Sequence, residues 1–451
     1  MPCKKARLKI RSNMEEIKKI LGAITIIPEI VSDITANVKN IADFEKNIQG
    51  HAGQSTTNLV DAILFGAIVL SVSDIHIEPQ QDMVRLRARI DGVLQDVATF
   101  DKAIYHNLLS RLKLLSKLKL NVTEKPQDGR FSIDTKDGLV EVRTSSLPAE
   151  YGEAMVMRVL NPKNFMELET LGLRADLYQI IAKQLKKPNG MIVATGPTGS
   201  GKTTTLYAFL MKIQSPEMKV VTIEDPIEYH LQGVSQTQVA PERGYTFAEG
   251  LKSIVRQDPD VILVGEIRDL ETAKISLQAA LTGHLVLSTL HTNDAAGTIP
   301  RLVDLGEETS SIAPALKLAI GQRLVRKVCK ECLSKAEPNA EELAHIKKAL
   351  KKLPKHIEAP KNLDTIKIAK AAEKGCAACN FTGYKGRKGL YELFLVDDEM
   401  ERFILTNPPV SDIKALLIKK GMVTIWQAGM LEVAHGETTL EEVTKVVEAD
   451  E

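Results

Sequence analysis

Aromatic residues are scarce in this chain, 4% of its 451 residues with a single tryptophan, so it offers little on which nucleic-acid bases could stack. Charge of one sign is lacking too. Lysine and arginine total 59 against 58 aspartate and glutamate, a formal net of +1, which leaves no global field to draw the chain onto nucleic acid or an anionic membrane. Long apolar runs are absent. The most apolar stretch, residues 59–72, is broken by Asp61 and falls short of the roughly 20 residues a membrane-crossing helix needs. The basic start (Lys4, Lys5, Arg7, Lys9, Arg11) runs into a mostly polar stretch, residues 12–19, where a secretory signal would be apolar, and it reads as cytosolic. Cysteine is rare. Four of the five form two Cys-x-x-Cys pairs, Cys329/Cys332 and Cys376/Cys379, with Cys3 left over, and in a chain without an export signal such pairs point to metal rather than disulfides.

What is present is ordinary globular composition, 44% hydrophobic and 26% charged, over a length that suggests more than one domain. Residues 1–57 are helix-prone and read as a loosely attached arm and linker. Residues 58–162 read as an α+β domain. A helical run leads into Ser73–Pro79, residues 83–90 alternate apolar and basic at period two as a half-buried strand does, and Asp91-Gly92 supplies a hairpin turn. A helix over 105–120, the run Gln127-Asp128-Gly129-Arg130 and further alternating strands follow. Arg89, Arg130, Arg143 and Arg158 fall on or near these strands, and taken alone they read first as a solvated face. Residues 163–328 carry short apolar strands at 191–193, 220–223, 261–264 and 285–290 separated by helical patterns, the signature of a mostly parallel sheet between helices. Ligands of such sheets bind at the C-terminal strand ends. Residues 329–392 hold the paired cysteines, and 393–451 are helical.

Gly196-Pro197-Thr198-Gly199-Ser200-Gly201-Lys202-Thr203 matches the phosphate-binding pattern G-x-x-x-x-G-K-[ST], after a strand and before a helix that includes Thr204. Glycines let backbone N–H groups converge on phosphate, the helix N-terminus adds positive potential, Lys202 neutralises β/γ oxygens, and the Thr203 hydroxyl suits Mg²⁺. Strand 261–264 then runs into Gly265-Glu266. The metal-holding carboxylate usual at the first of these positions is replaced by glycine, so Mg²⁺ relies on Thr203, phosphate oxygens and water, leaving Glu266 as candidate general base. Asp260, more than about 10 Å away at the other strand end, reads as structural. Glu224, leaving strand 220–223 at the same edge, either polarises the attacking water, orients Mg²⁺, or shapes a turn before Pro226. His284 and His291 flank one strand about 23 Å apart and cannot both touch one phosphate. His291, at the C-terminal end, is the candidate γ-phosphate sensor, and His284 suits an interface or the core.

Four ordered segments then stop being generic. The phosphate loop, Thr222–Tyr229, Arg256-Gln257-Asp258-Pro259-Asp260 through Gly265–Asp269, and Gly283-His284 to His291–Asp294 closely resemble the Walker A, Asp, Walker B and His boxes of secretion ATPases. With Ser73–Pro79, Arg89–Gly92 and Gln127–Arg130, the resemblance covers residues 58–450, and the chain is identified as a member of the type II secretion and type IV pilus assembly ATPases. The resemblance implies an α/β fold, a RecA-like P-loop core with a preceding α+β domain, a tetracysteine zinc module and a helical C-terminal region. It implies a cytoplasmic homohexamer at the inner face of the cytoplasmic membrane that uses ATP and Mg²⁺, docks on an inner-membrane platform protein and drives pilin or pseudopilin polymerisation, with no nucleic acid involved. Arg143 and Arg158 match the family's finger-like residues, Arg89 and Arg130 less so, and residues 1–57 are shorter than the docking domain of longer members. Zn²⁺ on Cys329, Cys332, Cys376 and Cys379 would be structural, since four protein ligands leave no open position, although the 43 residues between the pairs exceed a compact ribbon's insert. Assembly motors commonly carry such a module and retraction motors usually lack it. A retraction ATPase or another RecA-like motor is therefore the second reading, and a nucleotide-gated scaffold, against which Glu266 argues, the non-enzymatic one.

Overall fold

The computed structural model describes residues 23–360 and 362–449; the basic start and Cys3 lie outside the described residues. The chain forms two compact units, one taking the chain up to Phe165 with Glu373–Lys385, the other Met166–Ala372 and the described residues from Gly386 onward.

In the first unit β1 (Ala23–Thr25), helices α1 (Pro28–Asn37), α2 (Ile41–Ala52) and α3 (Thr56–Val69), strands β2 (Asp74–Pro79), β3 (Val84–Ile90) and β4 (Val93–Phe100), helix α4 (Lys102–Leu115), and strands β5 (Gln127–Thr135), β6 (Gly138–Ala149) and β7 (Gly152–Leu160) follow in order. The sheet order is β1-β5-β6-β7-β2-β3-β4, with β1 parallel to β5 and the other pairs antiparallel. Period-two alternation sets it up: Val84, Leu86, Ala88 and Ile90 turn inward while Arg85, Arg87 and Arg89 turn out. At the β3–β4 turn Asp91 and Gly92 both take positive φ, 51° and 87°, as a two-residue hairpin requires.

Residues 28–52, which read from sequence as a loose arm, are packed. Ile30, Ile34, Phe44 and Ile48 are buried, α1 and α2 both lie on α3, and β1 extends the sheet. Each apolar pair is spaced four apart, which gives these short helices one apolar face, and Gly66 lets the Phe44 ring approach to where a Cβ would stand at 2.2 Å.

The second unit contains α5 (Ala175–Gln184), β8 (Gly190–Thr195), α6 (Lys202–Ile213), β9 (Val220–Glu224), β10 (Ser235–Gln238), α7 (Phe247–Val255), β11 (Val261–Val264), α8 (Leu270–Leu281), β12 (Leu285–Leu290), α9 (Thr298–Asp304), α10 (Thr309–Ala315) and β13 (Leu316–Val328). After these come β14 (Ser334–Ala336), α11 (Ala340–Lys351), β15 (Ile368–Lys370), β16 (Tyr384–Leu395) and helices α12 (Asp398–Leu405), α13 (Val410–Lys419), α14 (Ile425–Ala434) and α15 (Leu440–Thr444). The main sheet runs β10-β9-β11-β12-β8-β13-β16, parallel from β10 through β13. Strands β8, β9, β11 and β12 are buried along their whole length, as unbroken apolar runs covered on both faces must be. Their shared direction puts Thr195, Glu224, Val264 and Leu290 at one edge of the sheet, each handing the chain to a loop. Among the described residues no helix is long and apolar enough to cross a membrane.

Candidate functional site

Thr195 ends β8 and the chain enters the phosphate loop through three glycines at positive φ: Gly196 at 145°, Gly199 at 80° and Gly201 at 90°. Gly196 is obligatory on steric grounds as well, because a Cβ there would lie 2.6 Å from the Gln322 carbonyl oxygen and 2.7 Å from Ser200 Oγ. Pro197, Thr198 and Gly199 are exposed, and Ser200 is buried with a hydroxyl that has no hydrogen-bond partner among the described residues. A buried, unpartnered hydroxyl in a glycine-rich loop at a helix N-terminus fits a phosphate oxygen. Lys202 opens α6; its ammonium donates to the carbonyls of Gly196 (2.7 Å) and Pro197 (3.1 Å). Burial pulls its pKa below the ordinary lysine value, against the opposing pull of the Glu266 carboxylate. Thr203 is exposed beside it, where a hydroxyl could reach a cation, and Thr204 is half-buried.

Glu266 follows β11 by two residues. Its carboxylate takes Arg268 Nη2 at 2.6 Å on one oxygen and faces His291 Nε2 at 3.4 Å on the other. The structure thus brings Glu266 and His291 together from adjacent strands, with Lys202 close enough to feel the charge. The Ser288 and Thr289 hydroxyls donate to the Val264 and Gly265 carbonyls, both at 2.8 Å, and hold the two strand ends in register. Gly265 itself has a packing reason: a Cβ would stand 3.3 Å from Glu224 Cα and Ile223 O. Arg268 was not singled out from the sequence. Its signal was the position two residues past Glu266, where an extended chain returns to the same side.

Glu224 is engaged elsewhere. It is buried, accepting from Tyr207 Oη on α6, from Thr222 Oγ1 (2.6 Å) and from Gln236 Nε2 (3.2 Å), and burial raises its pKa. Tyr207 also accepts from the Glu228 backbone N–H at 3.2 Å, so the carboxylate organises the Asp-box turn against the phosphate-loop helix. Asp260 accepts from the Lys219 N–H at 2.7 Å, a strand-start contact, and the half-buried His284 ring pairs with the Ala279 carbonyl at 3.0 Å after α8.

In the first unit, register reveals what spacing could not. Arg130, Arg143, Arg158, Asp74 and Arg89 are successive cross-strand partners on β5, β6, β7, β2 and β3, forming one row over the outward face of five strands. Like charges directly opposite one another destabilise a sheet, and one aspartate stands among four arginines. Asp74 takes Arg158 Nε at 3.0 Å and Arg89 Nε at 3.5 Å, while Arg143 Nε meets Glu141 at 3.5 Å.

The four paired cysteines bring their Sγ atoms within 4.8 Å of one another, with Cys329 and Cys379 buried. Cys376 Sγ and Cys379 Sγ are 3.8 Å apart, nearly twice a disulfide bond and equal to the edge, about 3.8 Å, of a tetrahedron with 2.3 Å zinc–sulfur bonds. Backbone N–H groups of Cys376 (3.1 Å) and Gly383 (3.3 Å) donate to Cys379 Sγ, which suits a thiolate.

Residues 50–445 match the family described as type II/IV secretion system protein. The type IV pilus assembly ATPase PilB of Thermus thermophilus is 42% identical over 387 residues, 85% of this chain and 42% of its own length. The type II secretion system ATPase E of Vibrio cholerae is 42% identical over 390 residues, covering 86% of this chain and 74% of that one. The type II secretion system protein HxcR of Pseudomonas aeruginosa is 38% identical over 426 residues, 94% and 84%. Among solved structures, the ADP-bound pilus retraction motor PilT superposes with a TM-score of 0.57 at 27% identity, over 85% of this chain and 96% of that one. The Legionella pneumophila ATPase DotB gives 0.61 at 23% identity, over 86% and 94%, and speaks for the fold alone. The fold is the RecA-like one of secretion ATPases.

Proposed function

The chain belongs to the type II/IV secretion system protein family, and from that premise we propose that it is a hexameric ATPase powering pilin or pseudopilin assembly in type IV pilus biogenesis or type II secretion. One observation carries the enzymatic part: Glu266 and His291 meet at 3.4 Å beside a phosphate loop whose lysine feels the Glu266 charge. In this reading Gly196 to Thr204 hold ATP, with Lys202 on the β/γ oxygens. Thr203 would hold Mg²⁺, which when bound would supply charge neutralisation on the phosphates. Glu266 takes the proton of the attacking water, and His291 reads the γ-phosphate. Glu224 acts through Tyr207, placing α6 and the Asp-box turn rather than touching water.

Zn²⁺ on the four cysteines is structural in this proposal, a module of residues 329–392 between the ATPase domain (163–328) and the helical end (393–451). The chain works at the inner face of the cytoplasmic membrane through a platform protein. The assembly direction, over retraction, rests on the 42% identity to an assembly motor against 27% to a retraction motor, and on the cysteine module. A deletion strain decides it. Loss of surface fibres or secreted substrate is the expected phenotype; excess fibres that never retract would reverse the sign of the motor.

The arginine row is the part of this reading that needs the assembled ring. A sheet keeps four arginines on one row at a cost in repulsion, and an anion would remove that cost. Arg143 and Arg158 are proposed to meet transition-state phosphoryl charge in the hexamer, with Arg89 and Arg130 in support. Arg143→Ala and Arg158→Ala should each lower kcat by about 10³-fold, the low end for an arginine finger. Wild-type kinetics in both, with hydrolysis per chain independent of protein concentration, would return the row to a solvated face.

A further inference from the structure

One buried carboxylate has no part in the chemistry above. Glu392 lies on β16, 2% exposed, in a strand whose other members near it, Leu390, Tyr391, Leu393 and Phe394, are apolar or aromatic. Burying a charged group without compensation is costly, so its partners define its purpose. Among the described residues it has two hydrogen-bond donors, both backbone N–H groups. Oε1 accepts from Ala295 at 2.7 Å, in the loop that leaves His291, and Oε2 accepts from Ile425 at 3.0 Å, the first residue of α14. The side chain reaches them over Gly321, where a Cβ would collide with Glu392 Cγ at 2.9 Å and with the Ala295 nitrogen at 3.0 Å. A glycine has cleared this path.

The loop it grips is held from the opposite side by the phosphate-binding machinery. Thr195 Oγ1, next to Gly196, donates to the Asp294 carbonyl at 3.2 Å. Arg323 Nη2 donates to the Asn293 carbonyl at 2.6 Å, while its Nε reaches the Val446 carbonyl at 3.0 Å, just beyond α15. The same guanidinium would lie 3.2 Å from a Cβ on Gly196. Residues 292–297 therefore sit between the first glycine of the phosphate loop and two attachments to the C-terminal helices, and both attachments pass through single buried charged side chains. Glu392 interacts with the charges of Asp294, Lys414 and Arg323, and burial pushes its pKa up to about 7.

We propose that Glu392 is a positioning residue: its carboxylate clamps the loop behind His291 to the N-terminus of α14, so that the C-terminal helices set where His291 stands relative to Glu266. This rests on the ATPase reading above. Two backbone donors on two oxygens demand a carboxylate, since a carboxamide has one acceptor oxygen and would turn its NH₂ toward the second N–H. Ile425 is equally telling. It occupies the first position of a helix, where proline is tolerated, and the preceding Thr424 has φ −68° and ψ 161°, the extended conformation that a following proline requires. Ile425→Pro thus deletes one N–H donor from the clamp while leaving Glu392 and its grip on Ala295 in place.

The test uses the full chain, Glu392→Gln and Ile425→Pro, with amide hydrogen exchange, nucleotide affinity by a fluorescent ADP analogue, and steady-state hydrolysis. In Glu392→Gln, exchange at Ala295 or Ile425 should accelerate at least about tenfold, because one of the two bonds is gone. In both variants kcat should fall about tenfold or more with KM and ADP affinity within about twofold, the signature of misplaced chemistry rather than lost binding. Unchanged exchange at both amides, or wild-type kcat in Ile425→Pro with Glu392→Gln lowering only the melting temperature, would overturn the clamp and leave Glu392 a fold-stabilising group. A wild-type chain that binds no nucleotide fails the ATPase reading instead. The exchange measurement, which needs no turnover, still decides whether Glu392 ties the two elements together.

Discussion

Glu266→Gln is expected to bind Mg²⁺-ATP as the unaltered protein does and to turn it over about 10²–10⁴-fold more slowly, the range over which a positioned general base contributes. The substitution isolates one property. Glutamine keeps the length and one acceptor oxygen for Arg268, and turns its NH₂ toward His291 Nε2, so the pocket's shape persists while proton affinity is lost. Lys202→Ala should fail in the opposite way, because the ammonium bonded to the Gly196 and Pro197 carbonyls is the one charge on the loop able to move onto phosphate. Its loss should appear as weaker nucleotide binding, at least about tenfold, before any effect on the chemical step. Hydrolysis and equilibrium binding measured on the same preparations separate the two. Wild-type turnover in Glu266→Gln would remove the base assignment and move attention to Glu224, whose buried carboxylate would then have to release Tyr207 to reach water.

Much of this site was legible because its chemistry is local in sequence. The phosphate loop is one continuous run, and its glycines, lysine and threonine announce themselves by spacing. Glu266 and His291 were legible as strand-end residues, because a parallel sheet delivers every strand's C-terminal end to the same edge. What sequence could not supply was partnership across strands. Arg130, Arg143, Arg158 and Arg89 read as four scattered cations until register laid them in one row with Asp74, and register is fixed by long-range pairing. Glu224, leaving a strand at the same sheet edge as Glu266, read equally as a group acting on water or Mg²⁺ and as a shaper of the turn before Pro226. Only the third dimension shows Tyr207, Thr222 and Gln236 consuming its oxygens. The helices over 28–52 were underread for a related reason: each is too short to show its apolar face clearly, and the face counts only once α3 is there to receive it.

Metal removal should be the most damaging change to the protein's integrity. The sequence raised an objection to the zinc site, the length of the insert between the cysteine pairs, and the fold answers it. β14 begins two residues after Cys332 and β15 ends six before Cys376, and the two pair antiparallel with Ser334 opposite Lys370, so the insert returns to where it left. Between them α11 buries Ile346 and Leu350 against Trp426 and Met430, which makes the insert a folded element rather than a long loop to be closed at entropic cost. A zinc tetrathiolate at its base would hold both ends at once. Structural zinc contributes about 10–16 kcal/mol in small zinc-finger peptides, and here part of that would be duplicated by hydrophobic packing. Elemental analysis should return one zinc per chain, and Cys376→Ser or a strong chelator should abolish it and lower the melting temperature by roughly 10 °C, several kcal/mol in a domain of this size. Because four protein thiolates leave no coordination position open, turnover per folded chain should outlast the metal below that temperature. Four thiols that titrate readily in the native protein, at a zinc stoichiometry near zero, would show instead that packing alone holds the sulfurs together.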